Sequence, residues 1–108
     1  MKAKTLPYDP AASLTAPEAI EYFVKDAMED DDPSYIAHAL GIAARAKGMT
    51  KVASDTGLAR EALYRSFSED GNPSLKSTVA VLKSLGIGLT IRRLGEATSQ
   101  TETPEAAE

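Results

Sequence analysis

Arg60, Glu61, Tyr64 and Arg65 are the residues of this chain best suited to do chemistry on a partner. If residues 59–67 are helical they fall on one side, because positions one, four and five apart share a helix face. A guanidinium can bridge guanine O6 and N7 or grip a phosphate, and a tyrosine adds a hydroxyl and a flat surface that suits a thymine methyl. Glu61 can accept from cytosine, or pair with Arg65 four residues on. The plain alternative is a solvated helix face with Tyr64 as a half-buried edge residue. Clustering on one face favours the binding reading.

Such a face needs a rigid support, and residues 50–67, TKVASDTGLAREALYRSF, supply the pattern of a helix-turn-helix. Val52 and Ala53 form an apolar seam, Ala53 is small enough for close helix approach, and Gly57 can take the left-handed conformation of a sharp turn. Leu58 and Leu63 pin the second helix, whose outer face would lie in a major groove. Thr50 and Lys51 open the first helix, where backbone N–H groups favour a phosphate. Asn72, Ser74 and Lys76 surround another helix start and suit the same service, or act as ordinary cap and turn residues.

The remaining elements follow from period and punctuation. Residues 1–14, with two prolines and weak periodicity, read as an N-terminal arm or an irregular packing segment. Thr15 and Glu18 flank Pro17 as a capping box for a helix that buries Ile20, Phe23, Val24, Ala27 and Met28 and ends near Glu29. Asp32 and Pro33 begin a second helix with Ile36, Ala39, Leu40 and Ala43 inward, cationic Arg45 and Lys47 near its end, and Gly48 as its stop. After the turn signal SEDGNP, Ser74 caps a helix with Leu75, Val79, Leu82 and Leu85 inward and Gly86 at its end. Ile87, Leu89 and Ile91 then alternate with Gly88, Thr90 and Arg92, which predicts a strand at about residues 87–92. A lone strand cannot satisfy its own backbone, so pairing with a second copy, or less simply with a partner protein, is expected; the alternative is a last helical turn closing the core. Residues 95–108 read as a disordered acidic tail. The fold class expected is thus all-α, about five helices with a short C-terminal dimerisation strand, in one domain over residues 15–94.

Composition limits the function. A chain of 108 residues with 43% hydrophobic content fits one small domain. It has no cysteine and one histidine, His38, which excludes disulfides, thiolate metal sites and histidine clusters and suits a reducing cytoplasm. His38 is expected on a wet helix face. Neither a cofactor nor a metal is expected, and no catalytic constellation appears, so no enzymatic step is expected. The acidic run Glu29, Asp30, Asp31, Asp32 lacks the alternating ligands and glycine of a calcium loop. No apolar run is long enough to span a membrane and the N-terminus lacks a secretory apolar segment, so a soluble protein is expected. The net charge of -4 is unevenly spread: residues 1–44 hold three Lys/Arg against eight Asp/Glu, whereas residues 45–94 hold nine against four. The basic part coincides with residues 50–67, the footprint of a phosphate-facing surface.

Residues 39–89, through ARAKGMTKVA, TGLAREALYRSFS, EDGNPSL and VLKSLGI, resemble the helix-turn-helix antitoxins called addiction-module antidote proteins, HigA-like relatives of the lambda-repressor-like (Xre) group. YDPAASLTAPEAIEYFVKDAMEDDDPSYIAHAL extends the resemblance, which covers roughly residues 6–92. It implies an antitoxin that neutralises a RelE-like toxin and represses its own operon by binding operator DNA, with the homodimer expected from the strand. Acidic Glu18, Glu21 and Asp26 then become a complementary surface for a basic toxin. The chain departs from many relatives at Ala59, where they carry a serine that can cap the recognition helix or touch a phosphate; that contact is lost. Two other readings remain: a stand-alone Xre-type transcriptional regulator and a helical interaction adaptor that binds no DNA.

Overall fold

The computed structural model describes residues 10–95. A 3-10 turn at Pro10–Ser13 leads into five helices: α1 (Pro17–Met28), α2 (Pro33–Lys47), α3 (Met49–Thr56), α4 (Arg60–Ser66) and α5 (Leu75–Ser84). Part of the expected N-terminal arm is therefore ordered packing, since Ala11 is buried and the 3-10 turn touches α2. Residues 1–9 of the arm and 96–108 of the tail lie outside the described residues.

α2 is the axis of the fold. Its sequence, PSYIAHALGIAARAK, is rich in alanine, so neighbours can approach it from several sides, and it touches the 3-10 turn and each of the other four helices. Asp32 caps it by accepting the Ser34 N–H at 3.0 Å, with Pro33 in the first turn as the sequence predicts. Gly41 permits a close approach: a Cβ there would run into the backbone carbonyl of Phe67, at the end of α4. Leu40, Ala43 and Ala44 join Val52, Leu63, Phe67, Val81 and Leu82 in one core, to which α1 adds Ile20 and Val24.

Three local expectations change. The capping box of Thr15 and Glu18 does not form: the cap position falls on Ala16, which offers no side-chain bond. Pro17 explains this, because its fixed φ suits the first helical position and so puts the cap at residue 16 rather than 15. Leu75 is 70% exposed instead of inward. Helical phase aligns it with Leu82, but it is the first residue of α5, and phase does not bury a helix end that overhangs the core. The inward residues of α5 are Val81 and Leu82, with Val79 and Leu85 partly buried.

The third change is the C-terminal strand. There is no strand among the described residues. Ile87 still donates its N–H to the Leu82 carbonyl at 2.9 Å and packs against the core, but Leu89 and Ile91 are exposed, Ile91 at 94%. A ladder needs a second row of donors and acceptors, and the described part of one chain has none to offer. Residues 86–92 instead line a groove with α1, where Arg92 meets Glu29 at 2.7 Å.

Candidate nucleic-acid interface

The turn between α3 and α4 is built from Gly57, Leu58 and Ala59. Gly57 takes φ 77 and ψ 8, the left-handed conformation expected of it, and its N–H closes on the Ala53 carbonyl at 2.9 Å. Thr56 fastens the turn from inside: its hydroxyl donates to the Val52 carbonyl at 2.8 Å and accepts from the Leu58 N–H at 3.2 Å. Val52 and Leu63 are fully buried, while Ala53 and Leu58 pack against the core from partly buried positions, so the seam read from the sequence holds the two helices.

That support leaves Arg60, Glu61, Tyr64 and Arg65 exposed together on α4. The Arg60 guanidinium stands 5.9 Å from the centre of the Tyr64 ring, within cation–π range, so one cation and one flat surface are presented as a unit. Glu61 and Arg65 form no ion pair with each other among the described residues. Ala59 is the cap of α4 and makes no side-chain cap bond, which leaves the first amides of that helix without the partner a serine would supply.

The flanking residues are placed differently from one another. Thr50, Asn72 and Lys76 are exposed. Ser74 is occupied as the cap of α5, accepting the Ser77 N–H at 3.0 Å. Lys51 donates to Asp55 Oδ1 at 3.1 Å, one turn along α3. Asp55 Oδ2 accepts the Ser84 hydroxyl at 2.8 Å and lies 3.9 Å from the Lys47 ammonium, which itself donates to the Ser84 carbonyl. The hydrogen bond from Ser84 foremost, then that from Lys51, holds the Asp55 carboxyl below its ordinary range, against a smaller opposing effect of burial. The spacing of Lys51 and Asp55 is legible as an i,i+4 pair. Nothing local announces Ser84, because it arrives from 29 residues away.

The other expected site residues lie elsewhere. Glu18, Glu21 and Asp26 are exposed on α1, and of these Glu21 lines the groove shared with residues 86–92. His38 is half-buried, with Nε2 3.9 Å from an exposed Glu69 carboxylate oxygen.

Residues 4–93 match a family model described as probable addiction module antidote protein. The chain belongs to this antidote family. The match spans all five helices and stops at Arg93, leaving the acidic end outside it. The chain is also 34% identical over 86 residues to an uncharacterized protein of Haemophilus influenzae, a match covering 80% of this antidote-family chain and 89% of that protein. No solved structure matches it. No described helix is long and apolar enough to cross a membrane.

Proposed function

We propose that this antidote-family chain is the antitoxin of a two-component module, that it neutralises a RelE-like toxin, and that it represses its own operon through α3 and α4. In this reading the pair is a helix-turn-helix of the Xre type. The observation that carries it is the exposed group Arg60, Glu61, Tyr64 and Arg65 on a helix held by Val52, Leu63 and the Gly57 turn. Arg60 and Arg65 read base edges or grip phosphate, Tyr64 contacts a base, and Glu61 accepts from cytosine. Thr50, Lys51, Ala59, Asn72, Ser74 and Lys76 border that surface and set its register through backbone or side-chain contacts to phosphates.

Dimerisation belongs to the same proposal. Leu89 and Ile91 are exposed apolar side chains in a segment without a ladder partner, and pairing them, with Ile87, across a twofold axis gives the segment what one chain lacks. The operator is then an inverted repeat whose half-sites lie about one helical turn, or a multiple of it, apart. The exposed Glu18, Glu21 and Asp26 form the toxin-facing surface, separate from the basic half of the chain.

Gel-shift titration of the chain's own promoter fragment against a scrambled duplex tests the DNA reading. A sequence-dependent, salt-sensitive shift is expected, and its absence favours the interaction adaptor. Co-purification with a neighbouring basic protein of roughly one hundred residues, a one-domain size, separates the antitoxin from a stand-alone regulator. Charge reversal at Glu18, Glu21 and Asp26 weakens that co-purification while leaving operator binding intact.

A further inference from the structure

Lys51 stands where the proposed reader would first meet a phosphate, yet its ammonium is already taken. The carboxylate that takes it is shared by three parts of the molecule: Lys47 from the end of α2, Lys51 on α3 and Ser84 at the end of α5. The two partners differ in access, the Lys51 side chain being 64% exposed and that of Asp55 29%. Ser84, 8% exposed, fixes the carboxylate from inside while the ammonium reaches outward.

We propose that Asp55 is an internal competitor of DNA phosphate for Lys51, and that it lowers the affinity of the α3–α4 surface for DNA of any sequence. This rests on the DNA-binding reading above. A phosphate can engage Lys51 only by drawing the ammonium from Asp55 or by sharing it. In either case the carboxylate stays behind, held by Ser84, and repels the incoming anion. Non-specific binding is almost wholly phosphate electrostatics, so a fixed counter-anion at this point acts most plainly there. The base-reading side chains of α4 are untouched by it.

Asp55→Asn separates charge from structure, because the amide oxygen still accepts the Ser84 hydroxyl. Ser84→Ala does the converse, removing that bond and leaving the charge. Binding of each protein to a scrambled duplex is followed by fluorescence anisotropy over a salt series, with circular dichroism to confirm helix content. Asp55→Asn is expected to bind roughly three- to tenfold more tightly and to steepen the salt slope by about one. Lys51→Met should remove that gain in the Asp55→Asn background and change binding by the wild-type chain less. Ser84→Ala should leave the slope as it is. A folded Asp55→Asn protein with an unchanged slope overturns the proposal. So does a Ser84→Ala protein that reproduces the Asp55→Asn result, because the carboxylate then acts only as a structural tie. A wild-type chain with no salt-dependent binding to any duplex removes the DNA reading itself, a failure distinct from either of these.

Discussion

The α3–α4 pair and residues 87–92 both carry clear sequence patterns, yet only the first becomes a defined element. The pair finds its partners inside the described chain: Val52 and Leu63 bury against a core that includes Leu40 and Val81, and the Gly57 turn closes on its own helix. The C-terminal segment has one anchored residue, Ile87, and an ion pair at Arg92, with Leu89 and Ile91 left in solvent. A period reveals which side chains share a face, but it does not say what covers that face. Helical bonds are satisfied within a segment, whereas strand bonds must come from another one.

The largest effect should come from breaking the well-anchored side of this contrast. Leu63→Ala removes a fully buried side chain and should cost about 2–5 kcal/mol in urea unfolding. Ile91→Asp, in dilute protein where no second copy is engaged, should stay within about 0.5 kcal/mol. At high concentration the same change should weaken self-association seen by sedimentation. An Ile91→Asp loss in dilute protein comparable to that of Leu63→Ala would erase the contrast.

Gly41→Ala tests how tightly the base of α4 sits on α2. Alanine in a helix interior is ordinarily favoured over glycine by about 1 kcal/mol, but the new methyl would meet the Phe67 carbonyl, which is backbone and cannot swing away. Overpacking should win, with a net loss of about 1–3 kcal/mol by the same unfolding measurement. A stabilised variant would show that α4 is free to move off α2.

At the exposed face, Arg60→Ala and Arg65→Ala should leave melting nearly unchanged and weaken operator binding by about 1–3 kcal/mol each where they read a base. Lys76→Ala, if it grips a phosphate, should lower affinity for every sequence and reduce the salt slope by about one. Folded Arg60 and Arg65 variants with wild-type operator affinity would remove α4 as the reader.

These contrasts follow what was legible beforehand. The five helices, the caps at Asp32 and Ser74, and the turn at Gly57 were readable because each depends on neighbours a few residues away. The α4 face was readable for the same reason. Gly41, Phe67 and the Asp55–Ser84 bond were not, since their meaning lies in contacts between distant helices. Thr15 and Leu75 misled in a different way: each fitted a local motif, but Pro17 shifted one helix start and the end of α5 overhangs the core.

A smaller effect is expected at the cap of α4. Ala59→Ser adds a hydroxyl oxygen that gives an N-terminal amide a partner, at a position already in the extended conformation a cap requires. The gain should be about 1 kcal/mol in stability. A destabilised Ala59→Ser protein would mean that the cap position is not available to a polar side chain.

The smallest effect concerns pH and the tie between α3 and α5. Asp55 is held below its ordinary carboxyl range by the Ser84 hydroxyl and by Lys51, so the unfolded chain takes up its proton at a higher pH than the folded one. Its contribution is therefore fully present above the ordinary carboxylate range and is lost as pH falls through the depressed folded value. Solvent around the carboxylate screens the attraction and keeps the effect modest. Comparing Asp55→Asn with the wild-type chain cancels most of the titration of the other acids, which both proteins share. The wild-type protein should melt higher at neutral pH, and the gap in Tm should close on acidification. A gap that persists unchanged into strong acid would show that shape, not charge, is what Asp55 contributes to joining the two helices.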